Sequence, residues 1–254
     1  MTALFVQPKP FTVVGSSASV APASNLNQDR PGLVWRTNGL SGIYSTVQLD
    51  GSAWDTVALV NSNLRATDTI QIRAGASAAA VAGTSGLALN QTISAYSGTT
   101  PASGNAISIY QLPTPITSPF VRIDITSTGN PAGYVQAQRL VIGSRIEAAG
   151  LDLDTDWGLE DDASEDGGFV DADLYGTRVS IKPRVWGLSE ADYWTKWFPM
   201  LRAIGKRKAI LCIPDTDPAY LQNQAIFGRV TSSAKATYGS SDMMLVELAM
   251  LSTS

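Results

Sequence analysis

Between Asn25 and Ile146 the chain is cut into short apolar or alternating runs, each closed by turn-forming residues. The runs read LVWRT, IYSTVQL, TVALVNSNL, TIQIRAG, ISIYQL, FVRIDIT and YVQAQRLVIG. In FVRIDIT, Phe120, Arg122, Asp124 and Thr126 share one face, and Val121, Ile123 and Ile125 share the other. A period of two buries one face and wets the other. Gly51, Gly75, Gly98, Gly104 and the Gly129-Asn130 pair supply the turns. About seven or eight short strands at this spacing predict a β-sandwich or jelly roll. The tract AGASAAAVAGTSG (74–86) is small and polar enough for a surface loop, because its glycines oppose a long helix. Upstream, FVQPKPFTVV could hold an edge strand and GSSASVAPAS reads as an extended arm, so residues 1–24 are expected to form an N-terminal arm.

The second half adds the one long helical signal. Tyr193, Trp194, Trp197, Phe198, Leu201 and Ile204 recur at helical spacing, giving an apolar face broad enough to lie across a sheet. Ser189 is a good N-cap, and Glu190 and Asp192 place negative charge on the first turn. Gly205 is placed to end the helix, with Lys206, Arg207 and Lys208 beside its negative end. Pro199 removes a hydrogen bond, so a kink or two short helices are expected. GTRVSIKPRVW reads as a strand bent at Pro183, AILCIP as a central strand, AIFGRVTS as the next and MMLVELAML as a closing one. Overall the sequence predicts a mainly β protein of two β-sandwich domains. An N-terminal jelly-roll sandwich spans 25–146, and a C-terminal sheet with one helix spans 147–254.

Charge is distributed unevenly along the chain. Residues 1–146 hold eight Lys/Arg and five Asp/Glu, 147–173 hold eleven Asp/Glu and no base, and 174–254 hold ten Lys/Arg and six Asp/Glu. One acidic segment therefore separates two mildly basic regions, which gives no sign of a nucleic-acid groove. Asp152, Asp154 and Asp156 alternate as on an exposed strand, and 158–168 reads as a long acidic loop. The same aspartates match the first positions of a calcium loop. However, Trp157 replaces its glycine and Ala163 replaces its bidentate glutamate.

The chain has no histidine, which excludes Ser-His-Asp and Cys-His catalysis and His-ligated metal sites. Cys212 is the single cysteine and lies in an apolar run, as a buried structural thiol does. A carboxylate pair for glycoside hydrolysis, drawn from Asp161, Asp162, Glu165 and Asp166, would need apolar burial that this Gly-rich acidic tract does not supply. Trp54, Tyr96 and Tyr110 could stack on a sugar, although such rings in a β-sandwich are commonly core or rim. Glycine-rich phosphate motifs are absent, and no run approaches the roughly 20 apolar residues of a membrane helix. MTALFVQPKP lacks the basic start and apolar core of a secretory leader. These readings imply a non-enzymatic protein with no cofactor, no metal and no nucleic-acid partner.

Two segments resemble known families. NLNQDRPGLVWRT (25–37), LVNSNL (59–64) and NPAGYVQAQRLVIG (130–143) resemble the galactose-binding-like, discoidin-type modules of bacteriophage tail proteins. Across 174–230, the order RVSI, Trp186, LSEADYW, helix, Gly205, basic tip, ILCIPD and QAIFGR is similar to the distal-tail and tail-tip proteins of long-tailed phages. That family commonly places the ring domain first, the reverse of the order here. The resemblance implies a virion protein made in the host cytoplasm, forming a homo-oligomeric ring, hexamer or trimer, at the tail tip or baseplate. Its partners would be the tail tube, hub and fibres. It also implies an alternative, a carbohydrate-binding module for host surface glycans. Closed rings use two different patches on each subunit. The acidic set Asp161, Asp162, Glu165 and Asp166 and the basic set Lys206, Arg207 and Lys208 form a complementary candidate subunit interface.

Overall fold

The computed structural model describes residues 2–30, 32–96, 106–148, 151, 155–161, 164–166, 169–171, 177–216, 219–240 and 242–253. The protein is mainly β and divides into two compact units. A sandwich unit takes Val6–Arg145 with Asp217–Ala225. A helix-bearing unit takes Met1–Phe5, Ile146–Thr216 and Ile226–Ser254.

In the sandwich unit, a five-stranded antiparallel sheet runs Thr12–Ser16, Ile43–Gln48, Phe120–Thr126, Thr69–Gly75, Leu87–Ser94. A three-stranded sheet runs Arg139–Gly143, Trp54–Ser62, Ala106–Ile116, and a small one runs Gln136–Ala137, Trp35–Thr37, Ser19–Ala21. The alternation read in FVRIDIT is present. Val121, Ile123 and Ile125 are buried in the core, while Arg122 and Asp124 point the other way and pair at 2.8 Å. This strand is central, with Ile123 opposite both Ser45 and Ile72. The core gathers Trp35, Trp54, Leu59, Ile70, Ile72, Ile123 and Leu140 from all three sheets. Within 74–86 the expected loop contains a short helix, Ala78–Ala82, whose N-terminal Ala80 N–H donates to Ser77 Oγ at 3.1 Å.

The helix-bearing unit has a seven-stranded sheet: Arg145–Ala148, Ala3–Val6, Ala209–Ile213, Ile226–Val230, Met250–Ser252, Thr177–Lys182, Asp156–Asp161. Beside it lies a three-stranded sheet, Arg184–Ser189, Met243–Glu247, Lys235–Ser240. Pro183 separates two strands of different sheets, and MMLVELAML likewise divides between the two sheets rather than forming one closing strand.

The first 24 residues are not an arm. Ala3–Val6 is a fully buried inner strand, Thr12–Ser16 edges the five-stranded sheet, and Ser19–Ala21 joins the small one. Four consecutive apolar residues suit a strand buried on both faces. Pro8 and Pro10 confine the break to the segment between strands. The acidic tract also departs from the expected loop. Asp156–Asp161 pairs with Thr177–Lys182, and Ser164–Asp166 forms a hairpin with Phe169–Asp171. Its register sets Asp156 opposite Lys182, and the two pair at 3.6 Å across this edge. Residues 152–154, on which the calcium pattern rests, lie outside the described residues.

The helical segment spans Glu190–Ile204. It begins as an α-turn (Glu190–Asp192), passes through a π turn (Tyr193–Trp197) and continues as an α-helix (Phe198–Ile204). Ser189 caps it, accepting the Asp192 N–H at 3.0 Å. The π turn accounts for Pro199. Phe198 N–H reaches back five residues to Tyr193 O, and Pro199, which has no N–H to give, follows where the α-helix resumes. Gly205 ends the segment with φ +51 and donates its N–H to Leu201 O at 3.0 Å.

Tyr193, Trp197, Met200 and Ile204 form the inward stripe, and Trp197 meets Phe5 edge to face at 4.8 Å. Trp194 and Phe198, expected on the sheet-facing side, are 49% and 39% exposed instead. They lie about 100° around the helix from the inward stripe. Trp197→Ala is expected to cost about 3–5 kcal/mol in chemical denaturation, and Trp194→Ala well under half of that.

In the sandwich unit, burial pushes the Asp68 carboxyl up. The Arg65 guanidinium at 2.8 Å, the Arg65 backbone N–H at 2.8 Å and the Ser127 hydroxyl at 2.8 Å outweigh it and hold the carboxyl below its ordinary value. A depressed folded value stabilises above the unfolded value and is lost as pH falls through the folded one. The melting temperature of the native protein should therefore fall below about pH 4. Asp68→Asn should be less stable near neutrality and show a shallower loss on acidification.

Candidate functional site

The polar side chains that carry the sandwich resemblance are built into the fold. Asn25 Nδ2 donates to Val34 O at 2.8 Å, Asn63 Nδ2 to Tyr134 O at 3.0 Å and Asn130 Nδ2 to Asn63 O at 3.0 Å. Arg36 donates twice to Gln136 Oε1 and stacks on Tyr134, its guanidinium 4.6 Å from the ring centre. Arg139 is buried, donates to Leu26 O at 2.6 Å and pairs with Asp29 at 3.0 Å. These side chains tie loops to strands. Trp54, a candidate sugar-stacking ring, is fully buried and donates Nε1–H to Ser118 O at 3.0 Å. Tyr96 and Tyr110 pack against the sandwich core.

In the helix-bearing unit, Lys206, Arg207 and Lys208 are exposed on the turn after the helical segment and form no ion pair with any described residue. Asp161 ends its strand opposite Thr177. Glu165 and Asp166 lie on the short hairpin, opposite Val170 and Phe169. Asp162 lies outside the described residues. The side chains of Asp161, Glu165 and Asp166 also lie outside the described residues.

An outward aromatic cluster was missed in the sequence and is the most distinctive surface of this unit. Its centre is Glu190, at the start of the helical segment. Trp194 Nε1–H donates to Glu190 Oε1 at 3.2 Å, and the Tyr238 hydroxyl donates to the same oxygen at 3.0 Å. One carboxylate thus fixes two exposed rings, one from the helix and one from the strand Lys235–Ser240. Trp194 lies edge-on to Tyr193 at 5.0 Å and tilted on Phe198 at 5.1 Å. Next to Tyr238, Gly239 lies beneath the Trp186 ring, and a Cβ there would come within 2.4 Å of it. Glycine at 239 therefore leaves room for the Trp186 ring against the strand. Tyr238 is 64% exposed, Trp186 48% and Met243 41%. The available signal was an apolar arc wider than one sheet needs, with Trp194 and Phe198 outside the stripe defined by Tyr193, Trp197, Met200 and Ile204.

Two open grooves flank this region. One, of about 370 Å³, is lined by Tyr193, Phe198, Leu201, Ile204, Val230 and 232–234, with Arg202 and Lys206 at its basic end. The other, of about 390 Å³, holds the pairs Lys182–Asp156 at 3.6 Å and Arg184–Glu247 at 3.2 Å, with Lys235 opposite Glu247 in the sheet. Cys212 is buried, and burial pushes its thiol up, away from the thiolate that nucleophilic chemistry needs. Among the described residues, no cluster of His, Cys, Asp and Glu is placed to hold a metal ion, and no helix is long and apolar enough to cross a membrane. The arrangement can bind through apolar and charged contacts.

No family model matches the chain, and no curated relative is found. Among solved structures, it is similar to reduced XRCC1 bound to the DNA polymerase β catalytic domain. That match has 18% identity, covers 54% of this chain and 99% of the other, and has a TM-score of 0.41. It is similar to the CBM32 of AlyQ in complex with 4,5-unsaturated mannuronic acid, at 19% identity, 54% and 96% coverage and a TM-score of 0.37. It is also similar to CBM32-1 from a family 31 glycoside hydrolase of Clostridium perfringens, at 8% identity, 54% and 96% coverage and a TM-score of 0.39. Likenesses this distant do not place the chain in a family.

Glu190 accepts the Tyr238 phenol proton as a hydrogen bond, and this with its negative charge raises the Tyr238 pKa. Glu190→Gln should lower it, read as an earlier ultraviolet ionisation step that is absent in Tyr238→Phe.

Proposed function

We propose that the chain is a structural protein of a long-tailed bacteriophage tail tip or baseplate. It is made in the bacterial host cytoplasm and built into the virion as a homo-oligomeric ring, hexamer or trimer, that links the tail tube to the hub and receptor-binding fibres. The single observation that carries the assembly reading is the set of outward aromatic rings: Trp194 and Tyr238 held by Glu190, Phe198 against Trp194, and Trp186 over Gly239 beside Tyr238. Large exposed apolar patches mark interaction surfaces, and aromatic residues are concentrated at interface centres. This patch is held on regular structure: the helix and two strands position its rings, so little order must be gained on docking.

The tail assignment rests on the motif order across 174–230, from RVSI through LSEADYW to QAIFGR, and on the sandwich motifs between Asn25 and Gly143. A non-catalytic role is supported by the absence of histidine from the sequence and by the buried thiol of Cys212. In this reading the helix-bearing unit makes the ring contacts, and the sandwich unit meets fibres or the cell surface.

Purified protein examined by negative-stain microscopy should show closed rings of three- or six-fold symmetry. Monomeric protein that binds glycans on an array would contradict the assembly role and favour the carbohydrate-binding alternative.

A further inference from the structure

We propose that the Trp194–Tyr238–Glu190 cluster is a cation-accepting site that takes the basic turn Lys206–Arg207–Lys208 of a second copy of this chain. The proposal rests on the assembly reading above and names the two surfaces that meet. It moves the acidic partner of the basic turn from the strand-borne Asp161, Glu165 and Asp166 to the helix start.

The first argument is the chemistry of the cluster. Glu190 accepts hydrogen bonds from Trp194 and Tyr238 through one oxygen, yet no cation among the described residues pairs with it. Its neighbour Asp192 differs, being paired with Lys196 at 2.7 Å and capped by Ser189. A carboxylate without a countercharge, flanked by two exposed electron-rich rings, favours an ammonium or guanidinium. Arginine in particular can stack on an indole face while donating to a carboxylate.

The second argument is the supply of cations. Lys206, Arg207 and Lys208 are exposed and form no ion pair among the described residues. They follow Gly205 at the negative end of the same helical segment that starts with Glu190.

The third argument is distance. A helical rise of about 1.5 Å per residue sets Glu190 and the basic turn roughly 20 Å apart. A lysine or arginine side chain cannot span that gap, so the turn cannot satisfy the Glu190 of its own copy. Two complementary patches at opposite ends of a rigid segment make a head-to-tail contact, which propagates from copy to copy and closes when the rotation allows.

The test is sedimentation of the full chain over a range of protein and salt concentrations, with circular dichroism to verify folding. Glu190→Lys alone, and the triple change Lys206→Glu, Arg207→Glu and Lys208→Glu alone, should each weaken association roughly tenfold or more. Combining the four should restore it. Trp194→Ala with Tyr238→Ala should weaken it without restoration by the charge swap. Salt should loosen the native oligomer, because exposed charges are screened beyond about 10 Å at 0.1 M. Oligomers unchanged in all single-side variants would overturn this pairing and leave the assembly role standing. A native chain monomeric at every concentration would overturn both.

Discussion

The packing of Trp197 on Phe5 fixes which face of the helical segment meets the seven-stranded sheet. Trp197 is fully buried and its ring meets Phe5 edge to face. Phe5 belongs to an inner strand of the seven-stranded sheet, so this contact ties the beginning of the chain to a helix almost two hundred residues later. Burying an indole contributes several kcal/mol, and the edge-to-face geometry adds about 1 kcal/mol. With Tyr193 and Trp197 both pointing inward, Trp194 and Phe198 each follow one residue later, about 100° further round the helix. They lie on the adjoining flank, where they meet solvent and each other.

The π turn extends this logic. It moves the helix phase between Tyr193 and Trp197 and lets Pro199 enter at the start of a new α-helix. The same device that accommodates proline therefore helps present the outward rings. Glu190 then locks Trp194 to Tyr238 on a neighbouring strand, so the patch is shared between helix and sheet.

Much of the β architecture was legible because period-two runs and turn residues report burial directly. FVRIDIT is a clear instance, with its apolar face wholly inside. The Ser189 cap and the Gly205 stop were also legible, since both rest on local backbone chemistry. What failed was what depends on distant partners. Residues 1–24 read as an arm because prolines and serines dominate locally, but Ala3–Val6 gains its order from strands near 146 and 210. The acidic tract read as a loop because its charge hides the pairing with Thr177–Lys182, where Lys182 sits opposite Asp156. The aromatic cluster could not be found from periodicity alone. Its members come from the helix and from the strand around Tyr238, and nothing in the sequence links 190 with 238.

The central claim is that the rings fixed by Glu190 form a docking face while Trp197 is a core residue. Hydroxyl-radical footprinting of the full chain, dilute and then concentrated, tests it most directly. The account predicts that Trp194 and Tyr238 are oxidised in dilute protein and protected on concentration, with Trp197 protected throughout. Equal oxidation of Trp194 and Tyr238 in dilute and assembled protein would contradict it.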